Sequence, residues 1–328
     1  MRPYKHILSS LAVILCVATA TAQDKQLMAD RQSKRCAALE RAASAPTDNE
    51  RYLASEEAVG WLSEALASEG SERWTWKLPA SASVLTSPDK RFRIFSWAVV
   101  RDDGEYECFG AVQYYNEREE MFDYRLLHDR SYELLNREES LLSADRWLGA
   151  IYQDLIQTQA GDKTYYTLLG WNGVDNVTDM RVIEPVVIKG GEPQFGAPLF
   201  RRERNLRRVV LEYRGDAAVQ MAYDEQTVQK TYRERVKKKG RYRVVERKEE
   251  RKERMIIFDE VEPHIPGMVG LYQYYVQSGT ELAYVWVDGK WELRQDVQGR
   301  LADKRLNKAF EPLQKSAPAF RYTPNGKQ

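Results

Sequence analysis

Histidine and cysteine are nearly missing from this chain, with three of each in 328 residues. Beyond the first 22 residues only His128 and His264 remain, far apart and without the HExxH or paired-cysteine spacing that builds a zinc site. No metal and no cofactor is expected. Phosphate-cradling loops are missing too: there is no Walker sequence, no GxGxxG after a strand and no GxSxG nucleophile elbow. After residue 22, no stretch approaches the roughly 18 uninterrupted apolar residues of a membrane helix. The net charge is only +1. That argues against a surface uniformly suited to polyanions, and no nucleic-acid partner is expected.

The first residues read as an export signal. Arg2 and Lys5 precede the apolar run Ile7–Val17, which is too short to span a bilayer. Ala20-Thr21-Ala22 then supplies small residues for cleavage before Gln23. Cys16 follows Leu15 and sits inside the apolar run, which reads against lipidation. The expectation is a signal peptide over residues 1–22 and a mature protein in the periplasm or at the cell surface. Cys36 and Cys108 stay in that mature chain. An oxidising compartment permits a disulfide between them, tying an N-terminal helical segment to a central hairpin. Two unrelated buried thiols is the other reading, because bridging needs Cα atoms within about 7 Å.

What is present organises itself around Thr86–Tyr115. Ser87-Pro88-Asp89-Lys90 reads as a tight turn and Asp102-Asp103-Gly104 as a reversal, with a strand on either side of it. In the first of these strands, Phe92, Ile94 and Ala98 point one way and Phe95, Trp97 and Val99 the other. Two apolar faces suit a strand inside a layered β structure. Residues 23–72 read instead as helical, with a capping box at Thr47-Asp48-Asn49-Glu50 and a stop at Gly70. From residue 73 to about 300, short strand candidates recur between Gly, Asn and Asp turns. The predicted fold is mainly β, an antiparallel β-meander (sandwich, barrel or small propeller-like) with an N-terminal α-helical segment. Ser131–Arg146 is predicted as a helical excursion, Gln194–Phe200 and Gly270–Val276 as strands, and residues 301–328 as a C-terminal tail.

Lys230–Arg254 stands apart, with 13 Lys or Arg against 5 Glu, a net of +8 in a chain of +1. Lys237-Lys238-Lys239-Gly240 reads as the tip of a projecting hairpin, and Glu246–Arg254 as a solvated linker or short helix. Lys237, Lys238, Lys239, Arg241 and Arg243 are the candidate binding residues, for an anionic glycan, lipopolysaccharide or an acidic envelope protein. A soluble edge guarded by charge against aggregation is the alternative. Trp97, Trp171, Trp286 and Trp291 are candidate aromatic platforms, in competition with a role in the core. The only catalytic candidates are Asp259 and Glu260 in FDEVEPHIP, since paired carboxylates can hydrolyse glycosidic bonds. The polar run Trp171–Asp179 holds several oxygen ligands, but its spacing is not that of an EF-hand.

Several segments carry a resemblance: Ser87-Pro88-Asp89 with Phe92-Arg93-Ile94-Phe95-Ser96-Trp97, Trp147-Leu148-Gly149-Ala150-Ile151-Tyr152, and Tyr165-Tyr166-Thr167-Leu168-Leu169-Gly170-Trp171-Asn172-Gly173. Phe195-Gly196-Ala197-Pro198-Leu199-Phe200, Met255-Ile256-Ile257-Phe258-Asp259 and Gly289-Lys290-Trp291 extend it to roughly Ser87–Val297. Over this span the chain resembles a group of exported Bacteroidetes β-rich proteins of unknown function. The resemblance implies export and β architecture, favours a strand over a helix at Gly149–Gln157, and transfers no catalytic residue. The expectation is an exported, non-catalytic binding or cell-envelope accessory protein; a carboxylate-dependent glycan hydrolase is the alternative.

Overall fold

The computed structural model describes residues 30, 33–34, 36–201, 205–238 and 241–295. The expected signal peptide, the C-terminal tail and Lys239 lie outside the described residues. The chain is mainly antiparallel β, with three sheets and an N-terminal helix pair. Helix α1 covers residues 36–44 and α2 covers Asp48–Leu66. The first sheet is the meander β1 (Ala82–Thr86), β2 (Phe92–Val100), β3 (Tyr106–Asn116) and β4 (Met121–His128). The second runs β5 (Ile151–Ala160), β6 (Lys163–Asn172), β7 (Thr178–Lys189) and β8 (Glu192–Phe195), with β9 (Val209–Arg214) also paired to β7. The third runs β10 (Met221–Lys238), β11 (Arg241–Pro263), β12 (Tyr275–Val287) and β13 (Lys290–Arg294).

The helices, the first sheet, the second and the third stack in that order, and the side chains of β2 show why. All nine of its residues are buried. Phe92, Ile94 and Ala98 enter the core shared with the second sheet, among Tyr114, Trp147, Tyr152 and Trp171. Phe95 and Trp97 face the other way, onto Ala38, Leu39, Ala58 and Leu62 of the helices. The sequence-derived assignment of these two faces is met residue by residue. A second inter-sheet core packs Leu169, Ile183 and Val209 of the second sheet against Met221, Ile256, Phe258 and Trp291 of the third.

Helix α2 starts as its sequence requires. Thr47 Oγ1 accepts from the Glu50 N–H, and the Glu50 carboxylate accepts from the Thr47 N–H, each at 3.3 Å. Its small buried residues Ala54, Ser55, Ala58 and Ala65 let the helix lie close on the face of the first sheet. Thr47→Ala should therefore cost about 1 kcal/mol, read as a lowered urea midpoint with an unchanged slope.

Four segments depart from expectation. Residues 131–146 are no helix: one 3-10 turn at Ser131–Glu133 leads into an irregular loop. Its carbonyls are satisfied from outside, with Arg208 donating to Ser140 O at 2.7 Å and to Arg137 O. Residues 246–254 are strand rather than linker or helix, because they continue the register that apolar Met255–Phe258 sets with β10. The expected strand Gln194–Phe200 stops at Phe195, where Gly196 turns the chain at φ +90° and donates to Pro185 O at 2.7 Å. Residues 272–274 likewise form a 3-10 turn, and the strand begins at Tyr275.

Candidate functional site

The basic stretch becomes the longest feature of the fold. β11 pairs β12 only from Met255 to Pro263, whereas it pairs β10 from Arg241 to Phe258. Beyond Met255, fourteen further cross-strand pairs, Glu225↔Arg254 through Lys238↔Arg241, continue as a two-stranded ribbon. At ~3.3 Å per residue the ribbon extends about 45 Å past its sheet.

A lone two-stranded hairpin is marginally stable in water, so the base must hold it. Val228 packs on the cluster of Met255, Ile257, Ala283 and Val285. Glu253 is buried there and ion-paired with Arg294 at 2.5 Å and Arg251 at 3.1 Å. Further out, Lys252 meets Glu225 at 2.9 Å and Arg233 meets its cross-strand partner Glu246 at 3.2 Å. Opposite charges facing across the strands support the pairing that the apolar base begins.

The distal half is different in kind. Residues 232–247 hold eight Lys or Arg against Glu234 and Glu246. Lys237 and Arg235 stand on one face with Tyr242 and Val244, while Arg243 shares the other with Val236 and Val245. The Lys237 ammonium lies 5.7 Å from the centre of the Tyr242 ring. Tyr232, Val236, Tyr242, Val244 and Val245 are all exposed, between 40% and 68%. Lys238 stands opposite Arg241 in register. Cations on both faces, separated by apolar and aromatic side chains, make a surface that an extended polyanion can follow without one fixed orientation.

The rest of the described chain has the opposite charge. Outside Lys230–Arg254, the described residues carry 23 Lys or Arg against 39 Asp or Glu, a net of −16. The ribbon is thus a basic arm on an acidic body.

The other sequence candidates are placed elsewhere. Trp97, Trp171 and Trp291 are corrected from binding platforms to core residues, with 2%, 1% and 0% of their surface exposed. Trp97 Nε1 donates to Ser55 Oγ at 2.8 Å, and Trp171 Nε1 to Asp179 at 3.3 Å. Asp259 and Glu260 do not face each other. Asp259 accepts from the Gln220 N–H next to β10 at 2.7 Å, and Glu260 accepts from Ser278 on β12 at 3.1 Å. Burial pushes the Asp259 carboxyl up from its ordinary value, but the group is occupied in holding a strand junction.

Cys36 and Cys108 are not bridged. Cys36 Sγ donates to Lys77 O at 3.2 Å beside the helices, while Cys108 is buried in the core between the first two sheets. Burial holds the Cys108 thiol well above its ordinary value, so it is poor in the reactive thiolate. In the polar run after Trp171, Asn172 Oδ1 accepts from Val174 N, and Asp175 Oδ1 from Val177 N and Thr178 N, each at 2.7 Å. Those oxygens cap their own loop. Among the described residues no group of three or more His, Cys, Asp or Glu is placed to hold a metal ion. No helix there is long and apolar enough to cross a membrane.

Charge density and hairpin chemistry made the ribbon findable from sequence. No local signal marked the buried pair Arg208–Glu184, or the clefts between the first two sheets, because their residues come together only by topology. No family model, curated protein or solved structure matches the chain.

Proposed function

We propose that this is an exported, non-catalytic protein of the periplasm or cell surface that holds an anionic envelope polymer, lipopolysaccharide or an acidic glycan, along its ribbon. The carrying observation is the basic arm, about 45 Å long, in a chain whose residues outside Lys230–Arg254 sum to −7, and to −16 among the described ones. An arm that served only to guard its edges against pairing would need charges of either sign. Instead the glutamates gather near the base and leave the distal half strongly cationic. The export part of the reading rests on Arg2, Lys5 and the run Ile7–Val17, and on the resemblance described above.

Binding to immobilised lipopolysaccharide should weaken steeply as salt rises, because the attraction is exposed and screened. The variant Lys237→Glu/Lys238→Glu/Lys239→Glu shifts the ribbon from +8 to +2 by sequence. It should bind at least ~10-fold more weakly, a change of about 1.4 kcal/mol, with its far-UV circular dichroism unchanged. Equal binding by variant and parent would overturn the proposal.

A further inference from the structure

Positive charge is not confined to the ribbon. A cleft of about 600 Å³ opens between the first two sheets, bordered by Lys163 at the start of β6, Lys189 at the end of β7, and Arg207. None of these three cations makes an ion pair with a described residue, although carboxylates outnumber cations by 39 to 23 among the described residues outside Lys230–Arg254. Two of the three carboxylates that line the cleft are committed, and the third, Asp162, precedes Lys163 in the β5–β6 turn. Asp89 accepts from Ser87 Oγ at 2.5 Å, from Arg91 N at 3.0 Å and from Tyr166 Oη at 2.9 Å, while Glu117 pairs with Arg91 at 3.0 Å. Three cations without an ion pair to a described residue thus line one concave site.

The cleft does not end at Arg91. Asp89, Arg91 and Tyr115 also line a neighbouring cleft of about 920 Å³, whose far wall includes half-buried Trp74 and Phe122. The Arg91 guanidinium lies 4.4 Å from the centre of the Tyr115 ring, and Tyr115 meets Phe122 edge to face at 5.4 Å. Together the two clefts form one groove. It has aromatic side chains and Lys90 at one end, a guanidinium over tyrosine at its waist, and Lys163, Lys189 and Arg207 at the other.

Flat aromatic groups offer a surface to the C–H face of a sugar ring, and Lys and Arg offer donors to carboxylate oxygens. A neutral sugar leaves the cations unused, and a small inorganic anion leaves the aromatic end unused. The groove also lies near the root of the arm. Lys290 Nζ donates to Pro198 O on the cleft wall, and Gly289 packs against Ala160 of the β5–β6 turn. Val287, just before that β12–β13 turn, packs with the residues from which the ribbon departs.

We infer that the groove is a second binding site that takes a short run of acidic sugars, with ring faces on the aromatic end and carboxylates on Lys163, Lys189 and Arg207. It shares with the ribbon proposal only the anionic character of the ligand, and it rests on its own residues. Isothermal titration of the full chain with a tetragalacturonate tests it, using the methyl-esterified tetrasaccharide and inorganic phosphate as controls. The acidic tetrasaccharide should bind, the ester should not, and phosphate should fail to compete at equal concentration. Lys163→Gln/Lys189→Gln/Arg207→Gln should weaken binding at least ~10-fold, about 1.4 kcal/mol, with its thermal midpoint retained. The ribbon triple variant should bind this short ligand as the parent does. Tyr115→Ala, which removes a ring and no charge, should weaken it as well.

Undetectable binding by the parent, equal binding of the ester, displacement by phosphate, or an unaffected groove variant would each overturn the inference. Loss of the short ligand in the ribbon variant would also overturn it, because the arm alone would then be the site. Failure of the ribbon proposal looks different: lipopolysaccharide binding would be indifferent to the ribbon charges while tetragalacturonate still bound the groove.

Discussion

Replacing Arg208 with methionine should lower the unfolding free energy by about 3–5 kcal/mol at neutral pH, the range for breaking a buried ion pair from one side. Arg208 and Glu184 are both fully buried, at 0% side-chain exposure, and Arg208 Nε lies 2.9 Å from each Glu184 oxygen. The same guanidinium donates to Ser140 O, to Arg137 O and to Phe195 O at 3.1 Å. One side chain thus anchors the irregular 131–146 loop and the end of β8 to β7. Methionine fills most of the volume but leaves a carboxylate and three carbonyls without their donor.

The pH dependence separates this account from simple loss of packing. Burial pushes the Glu184 carboxyl up even beside its arginine. A carboxyl whose folded pKa lies above its unfolded value favours the folded state fully below the unfolded pKa. That contribution is lost as pH rises through the folded pKa. Without Arg208 the folded value rises further, so the deficit of Arg208→Met should be smallest near pH 4 and grow toward neutrality. Urea unfolding across that range checks it, and Arg208→Met/Glu184→Leu should recover most of the loss at pH 7. A pH-independent deficit would refute the role given to Glu184.

Trp291→Ala should cost a similar amount, about 3–5 kcal/mol, the usual range for removing a large aromatic from a core. Trp291 is fully buried between the second and third sheets, donates from Nε1 to Thr167 Oγ1 at 3.1 Å, and meets Trp286 edge to face at 5.0 Å. Its backbone pairs with Leu199 and Arg201, so the residue joins β13 to the chain leaving the second sheet. Trp291→Phe keeps much of the ring while leaving Thr167 without its indole donor, and should cost clearly less. Chemical unfolding of the two variants side by side tests the ranking. Because this core seats the sheet that carries the arm, protease cleavage within the third sheet should rise in Trp291→Ala at temperatures where the parent resists.

These two sites were the least legible parts of the sequence. Arg208 sits in RRERNLRR, where nothing separates a buried arginine from its solvated neighbours, and Glu184 lies 24 positions earlier in a valine-rich strand. What could be read was whatever local spacing determines: the two faces of β2, the Thr47–Glu50 cap, and the turns at Ser87–Lys90 and Asp102–Gly104. The helix expected at 131–146 failed because the loop's polar groups are satisfied by an arginine more than 60 residues away, which helix propensity cannot register. The linker expected at 246–254 failed for the opposite reason. Its charges look solvated whether or not the chain is extended, and the register comes from Met255–Phe258 next to it. Trp97 and Trp171 carried an ambiguity that only burial resolves, since an aromatic on a strand looks the same from either side. The ribbon was visible because charge density survives without knowledge of the fold; the groove was not, because its lining comes from β3, β6, β7 and the chain before β9, which only the topology brings together.

The length of the arm has a consequence for how the molecule meets a charged surface. In physiological salt the field of an anionic surface decays over about 8 Å, a small fraction of the ribbon. When the tip touches, the acidic body stands several decay lengths away and feels almost none of the repulsion that its charge would bring at contact. With a positive end and a negative bulk, the molecule also turns in that field as it nears, so it arrives tip first. A shorter arm with the same charges would hold the body within the repulsive layer. The reach of the two strands sets how closely this protein can approach a surface of the same sign as its body.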